Sequence, residues 1–125
     1  MVILYADDDV DDLELFGDAV SKVDPAIVCV PVQSGEEALD FLHGDIFPDY
    51  VFLDINMPGM NGITCLTKIR ANPKMKKLPV VILSTAASEN DIDRFKALNA
   101  DFISKPNSFD SLVKVISAFL LPRKH

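Results

Sequence analysis

Short apolar runs alternate along the chain with segments whose apolar residues recur at helical spacing, and there are five of each. The clearest run is Tyr50-Val51-Phe52-Leu53, which leads into Asp54 and then into Pro-Gly and Asn-Gly turn signals. Each run is continuously apolar, which is typical of strands buried on both faces of a sheet. We therefore predict an α/β fold, with a doubly wound, five-stranded parallel sheet covered by helices on both sides.

The limits of the predicted elements follow from this pattern. The strands are expected at residues 2–6, 27–32, 50–54, 79–83 and 101–104. The helices are expected to begin near residues 9, 34, 63, 88 and 108, and the last should end at Pro122. Asp9 is expected to cap the first helix, and Ser34 with Glu37 has the spacing of a capping box. Asn99 is suited to the left-handed conformation at the end of the fourth helix.

Length and composition favour a single soluble domain. A chain of 125 residues has the size of one domain, so residues 1–125 are expected to form one domain without an output domain. The chain has no membrane-spanning apolar run and no secretory signal, which predicts a cytoplasmic protein. A net charge of −7 disfavours nucleic acid as a partner. Cys29 and Cys65 lie in apolar segments and are expected to be buried free thiols.

Polar residues follow the predicted strands at the point where each strand ends. They are Asp7 and Asp8 after the first strand, Asp54 at the third, Ser84 and Thr85 at the fourth, and Lys105 after the fifth. Right-handed crossovers bring the carboxyl ends of parallel strands to one edge of the sheet. These side chains are therefore expected to meet there.

The chemistry of these residues points to phosphoryl transfer. Carboxylates as close together as Asp7, Asp8 and Asp54 would repel one another and call for a cation. Oxygen ligands without His or Cys favour Mg²⁺, which is usually shared with a phosphate group. Lys105 offers a point charge and Ser84 a hydroxyl donor for phosphoryl oxygens. The arrangement predicts Asp54 as the nucleophile that accepts a phosphoryl group.

Four motifs carry a family resemblance: residues 3–9 with their run of acids, residues 53–62 around Asp54, Ile82-Leu83-Ser84, and Lys105-Pro106. With these motifs, the chain resembles the receiver domains of two-component response regulators over essentially its whole length, and in particular the single-domain type. The resemblance implies the flavodoxin-like fold, with strand order 2-1-3-4-5.

The resemblance also implies a role for each acid of the site. Asp54 would be the phosphoacceptor. Asp8, Asp54 and the backbone carbonyl of Asn56 would hold Mg²⁺, while Asp7 would act mostly through water. The partners would be a sensor histidine kinase or a histidine phosphotransfer protein as the donor, and an unknown downstream protein that reads the phosphorylated state. Such a protein is not an enzyme beyond its own phosphorylation and dephosphorylation.

The resemblance assigns the remaining site residues to binding and switching. Ser84 would be the switch hydroxyl, and Lys105 the phosphate partner, joined to Pro106 by a cis peptide. Thr85 replaces a smaller residue that is common in the family and could narrow access to the phosphoryl group. Phe102 occupies the place of a switch aromatic that is often Tyr, and it lacks the hydroxyl for a hydrogen bond. An alternative role for Phe102 is simply that of a partly buried sheet residue.

Other function classes fit the sequence less well. A phosphatase of the haloacid dehalogenase-like kind needs a second Asp two residues after the nucleophile, where this chain has Asn56. A receiver that has lost phosphorylation would usually lack some site residues, and all are present. A flavodoxin would need a phosphate-binding loop rich in Ser, Thr and Gly after the first strand. The alternatives are therefore disfavoured.

Overall fold

Strands and helices alternate along the chain as the sequence predicted. The computed structural model describes residues 1–85 and 87–120. The strands are β1 (Val2–Ala6), β2 (Val28–Val32), β3 (Tyr50–Leu53), β4 (Val80–Ser84) and β5 (Asp101–Ser104). The α-helices are α1 (Val10–Val23), α2 (Gly35–Leu42), α3 (Gly62–Ala71), α4 (Glu89–Ala97) and α5 (Phe109–Leu120), and a 3₁₀ turn at Pro73–Met75 follows α3.

The five strands form one parallel sheet in the order β2-β1-β3-β4-β5. This confirms the doubly wound fold that the sequence predicted and the flavodoxin-like strand order that the resemblance implied. Ala6 lies opposite Leu53, and Ser84 opposite Ser104. The carboxyl ends of the strands therefore share one edge, which is where the polar residues that follow them come together.

Apolar side chains alternate between two cores, one on each face of the sheet. In β1, Leu4 contributes to the core under α2, α3 and α4, whereas Tyr5 contributes to the core under α1 and α5. The Tyr5 ring stacks on Phe16 of α1 with the ring centres 4.2 Å apart, and Phe16 in turn contacts Phe52 of β3. Both faces of the sheet are covered, which explains why the strands are apolar throughout.

Several predicted helix ends are confirmed. Asp9 caps α1 by accepting hydrogen bonds from backbone N–H groups of the first turn, and Ser34 caps α2. Ser88 caps α4, at the position where the sequence placed the start of that helix. Asn99 has φ 56°, the left-handed conformation expected of it. The predicted end of the last helix at Pro122 lies outside the described residues.

The prediction of buried free thiols is confirmed for Cys65 and in part for Cys29. Cys29 is partly buried and Cys65 is buried, and both are free. Burial raises the pKa of the Cys29 thiol to about 11 and that of Cys65 to about 12, so both stay protonated at neutral pH.

In the part of the chain that the structure describes, none of the helices has the length and apolar character needed to span a membrane.

Candidate functional site

Asp54 lies directly after β3 at the carboxyl edge of the sheet, and only 7% of its surface is exposed. Its backbone N–H donates to the Ala6 carbonyl at 3.0 Å, which continues the pairing of β3 with β1. The loop that follows returns to the strand end, because the Gly62 N–H donates to the Ile55 carbonyl at 2.8 Å. Gly59, in this loop, has φ +80°, a backbone conformation that residues with a side chain rarely adopt. The local backbone thus fixes Asp54 at the floor of the site.

Asp7, Asp8 and Asp54 form an acidic cluster in which the nearest ligand oxygens lie within 4.8 Å of one another. Asp7 and Asp54 are buried and Asp8 is exposed, so the cluster opens to solvent on one side. Uncompensated carboxylates at this spacing repel one another, and a hard divalent cation relieves that repulsion. The cluster is therefore able to hold a divalent metal ion. Asn56 lies in the exposed part of the following loop, and its backbone carbonyl remains a predicted ligand.

Asp7 is already bonded to protein donors through both carboxylate oxygens. The Tyr5 hydroxyl donates to Oδ2 at 2.6 Å, and the Asp9 backbone N–H donates to Oδ1 at 3.0 Å. Lys105 Nζ also donates to Oδ2, at 2.7 Å. Burial and the neighbouring Asp7 carboxylate raise the pKa of Tyr5 far above its ordinary value, so Tyr5 stays a donor at neutral pH. Both carboxylate oxygens of Asp7 are thus engaged by protein donors, and its role toward a metal ion through water remains a prediction.

Lys105 is held by carboxylates on several elements. Its Nζ lies 2.7 Å from Asp7 Oδ2, 2.9 Å from Asp12 Oδ2 and 3.8 Å from Asp54 Oδ2. Burial alone would lower the pKa of Lys105, but the hydrogen bonds to Asp7 and Asp12, together with the negative charges of Asp54 and Asp7, outweigh burial and raise it. Lys105 therefore carries a full positive charge within reach of any group attached to Asp54.

The predicted cis peptide between Lys105 and Pro106 is wrong for this structure. Among the described residues, every peptide bond is trans. The Lys105 N–H still donates to the Ser84 carbonyl at 2.9 Å, so the lysine is placed by β4 and β5 pairing. The two isomers of an X-Pro bond differ by only about 0.5–1 kcal/mol, so the Lys-Pro sequence did not by itself require either one.

Ser84 ends β4 with its side chain fully buried. Its Oγ has no hydrogen-bond partner among the described residues, which is unusual for a buried hydroxyl. Ser84 acts to lower the pKa of Asp54, but without a hydrogen bond of ordinary geometry. A phosphoryl oxygen on Asp54 would give this donor the acceptor that it lacks.

The other two predicted switch residues differ in their surroundings. Thr85 is exposed at the rim of the site. Phe102 is partly buried in β5, and its ring stacks on Phe95 of α4 with the ring centres 6.0 Å apart and the planes at 10°. Phe102 therefore links the end of the sheet to α4, which is the contact that a switch aromatic would have to change.

The carboxyl group of Asp54 has a pKa above its ordinary value. Burial is the largest cause, and the nearby Asp7 carboxylate adds to it, whereas the Lys105 ammonium opposes both. The site thus destabilises the negative charge on Asp54 and relies on Lys105 to offset this effect. A carboxylate that is poorly solvated in this way is a better nucleophile than one in bulk water.

Two contributors to the site, Tyr5 and Asp12, were not predicted from the sequence. Tyr5 was counted as an apolar strand residue, although its hydroxyl reaches Asp7. Asp12 falls within the predicted first helix, and its carboxylate accepts a hydrogen bond from Lys105. The sequence does contain a signal for Asp12: it lies one turn before Phe16 and is therefore on the helix face that packs on the sheet.

The sequence matches the response regulator receiver domain family over residues 3–117. The stress response regulator protein 1 of Candida albicans is 30% identical over 125 residues. The aligned part covers 98% of this chain but 44% of that protein. The chain thus spans less than half the length of this curated relative.

Solved response regulators share the fold. A phosphorylated cyanobacterial phytochrome response regulator, RcpA, has a TM-score of 0.84 and 28% identity, over 94% of this chain and 89% of that one. The Mn²⁺-bound response regulator Rcp1 has a TM-score of 0.83 and 26% identity, over 94% and 90%. CheY4 of Vibrio cholerae has a TM-score of 0.81 and 25% identity, over 95% and 98%. With its acidic cluster and lysine in place, the chain belongs to the response regulator receiver domain family.

Proposed function

We propose that the protein is a phosphorylation-controlled receiver that accepts a phosphoryl group on Asp54 and signals through protein–protein contacts. The observation that carries this proposal is the meeting of a buried Asp54 with two further carboxylates and the Lys105 ammonium at one edge of the sheet. The buried Ser84 hydroxyl, which has no hydrogen-bond partner among the described residues, also supports it. A receiver domain is not a conventional enzyme, because the group that it transfers ends on its own side chain.

In the proposed reaction, a carboxylate oxygen of Asp54 attacks the phosphorus of the donor. The new bond joins Asp54 to phosphorus, and the bond between phosphorus and the leaving group breaks in line with it. Lys105 neutralises charge on a phosphoryl oxygen, and Ser84 donates a hydrogen bond to another. Mg²⁺, held by Asp8, Asp54 and the Asn56 carbonyl with Asp7 acting through water, would supply further charge neutralisation.

The donor that we propose is a phosphohistidine on a sensor histidine kinase or on a histidine phosphotransfer protein. Two facts about relatives support a phosphorylated, metal-binding state: RcpA is described in a phosphorylated form, and Rcp1 in an Mn²⁺-bound form. A downstream protein would then bind the phosphorylated receiver.

Intact-mass measurement tests the proposed function. Incubation with a small-molecule phosphodonor and Mg²⁺ should add the mass of one phosphoryl group, and a metal chelator should prevent the gain. Reduction with borohydride, followed by peptide mapping, should locate the group on Asp54. A protein that takes up no phosphoryl group under these conditions would contradict the proposal.

Magnesium binding should depend on Asp8. The Asp8→Asn change removes an exposed ligand, so we expect Mg²⁺ affinity to fall by at least about tenfold with the fold intact. Asp11→Asn is the matched control, because Asp11 is an exposed acid in the first turn of α1 and lies outside the metal cluster. Isothermal titration or fluorescence titration measures both. Equal affinity in the Asp8→Asn and Asp11→Asn proteins would exclude Asp8 as a ligand.

Phosphorylation should change the contact between β5 and α4. A phosphoryl group would draw the Ser84 hydroxyl toward it, and Phe102 could then leave its stacked position against Phe95. We expect beryllofluoride, a phosphoryl mimic, to shift amide resonances of Phe102 and of α4 in addition to those near Asp54. If the shifts stay within the loops around Asp54, the switch route through Phe102 is wrong, while the phosphoacceptor role is unaffected.

A further inference from the structure

Asp12 binds the site lysine but belongs to neither the phosphoacceptor nor the metal cluster. Its Oδ2 accepts from Lys105 Nζ at 2.9 Å, across 93 positions of the sequence. Among the described residues, the acidic cluster that could hold a metal ion consists of Asp7, Asp8 and Asp54, and it does not include Asp12. Asp12 is thus a negative charge that contacts the lysine without serving the metal or the transfer directly.

We propose that Asp12 is a positioning residue that competes with the phosphoryl group for Lys105 and so weakens the phosphorylated state. Lys105 has three N–H donors, and in this structure Asp7 and Asp12 take two of them. Its Nζ is 3.8 Å from Asp54 Oδ2, beyond hydrogen-bond distance. The two short ion pairs therefore determine the position of the Lys105 ammonium group in this structure.

The two ion pairs of Lys105 differ in how firmly they are held. Asp7 has a side chain that is 1% exposed and is fixed by Tyr5, whereas the Asp12 side chain is 37% exposed. Beside Asp12 and Lys105 lies a cavity of about 120 Å³, whose lining also includes Phe109 and Leu112. Because the Asp12 side chain is open to solvent and that of Asp7 is not, water can replace Asp12 on Lys105, so the bond to Asp12 is the one that can be exchanged.

Charge gives the direction of the effect. A phosphoryl group on Asp54 adds negative charge close to the carboxylates of Asp7 and Asp8. Asp12 adds one more negative charge and partly neutralises the cation that the phosphoryl group needs. Removal of the Asp12 charge therefore leaves Lys105 more available and should strengthen binding of a phosphoryl mimic.

The test compares three variants for binding of beryllofluoride at saturating Mg²⁺, measured by NMR titration. This inference rests on the proposed function of Asp54. Asp12→Asn should bind about two- to fivefold more tightly than wild type, the range expected for a partly exposed ion pair. Asp11→Asn, which removes an exposed charge from the same helical turn, should stay close to wild type because solvent screens it. Asp12→Glu keeps the charge and should also resemble wild type.

A second readout follows Lys105 itself. The ¹⁵N resonance of its ammonium should move in the ligand-free Asp12→Asn protein and stay in place in Asp11→Asn. If Asp12→Asn matches Asp11→Asn in beryllofluoride affinity, or binds more weakly, the role of Asp12 is refuted although Asp54 remains the acceptor. If the wild-type protein binds no beryllofluoride and gains no phosphoryl mass, the proposed function fails, and this inference fails with it.

Discussion

Replacing Asp54 by Asn should abolish Mg²⁺-dependent phosphoryl uptake. Asn has nearly the same shape, but its amide is a poor nucleophile and lacks the negative charge that pairs with the metal and Lys105. Removing the nucleophile of a covalent reaction costs on the order of a thousandfold or more in rate. Intact mass after incubation with the phosphodonor should therefore show no gain, at a time when the wild-type protein is fully modified.

The Asp54→Asn protein should remain folded, which makes the loss interpretable. Because burial raises the pKa of Asp54, the ionised carboxylate opposes folding at neutral pH, and a neutral Asn removes that cost. We expect the free energy of unfolding, measured by denaturant titration, to stay equal or rise. Asp45→Asn, in an exposed loop, should retain the full mass gain. An equal gain in Asp54→Asn would mean that another carboxylate, with exposed Asp8 the nearest candidate, is the acceptor.

The position of the site was predictable because parallel strands impose it. A residue that follows a strand in such a sheet must lie at the carboxyl edge, so Asp7, Asp54 and Lys105 could be placed together without knowing any side-chain conformation. The strand order itself was implied by the resemblance, and the sheet confirms it. Continuously apolar runs allowed the strands to be recognised, since both faces are buried.

The choice among partners within the site was not predictable from the pattern. Lys105 has several carboxylates in reach, and whether it binds Asp7, Asp12 or Asp54 depends on differences of a few ångströms in side-chain placement. The role of the Tyr5 hydroxyl could not be recognised from the sequence, because tyrosine is also a common strand residue. The sequence likewise did not determine whether the peptide bond before Pro106 is cis or trans, since the isomers differ little in energy; in the structure it is trans.

Gly62 illustrates a residue whose role emerges only in three dimensions. In the sequence, Asn61-Gly62 is a turn signal. In the structure, Gly62 begins α3 and packs directly against the backbone that carries Asp54. A Cβ atom at this position would lie 2.6 Å from the Asp54 carbonyl oxygen and 2.9 Å from the Ile55 Cα. The lack of a Cβ at this glycine is therefore what allows α3 to approach the end of β3.

Gly62→Ala should destabilise the protein and impair phosphorylation together. The contacts are with backbone atoms that cannot rotate away, so α3 or the end of β3 must shift, at a cost of about 1–3 kcal/mol in the free energy of unfolding. The same shift moves Asp54 relative to Lys105, so the rate of phosphoryl uptake should fall in the protein that remains folded. Denaturant titration measures the first effect, and the initial rate of mass gain measures the second.

Gly17→Ala is the matched control, and it should have the opposite effect on stability. Gly17 lies inside α1, and an added Cβ there would meet nothing within 4 Å. Alanine is favoured over glycine in a helix interior by about 0.5–1 kcal/mol, so this variant should be more stable and keep the wild-type rate of phosphorylation. If Gly62→Ala were as stable and as readily phosphorylated as Gly17→Ala, the close approach of α3 to Asp54 would not be what positions the phosphoacceptor.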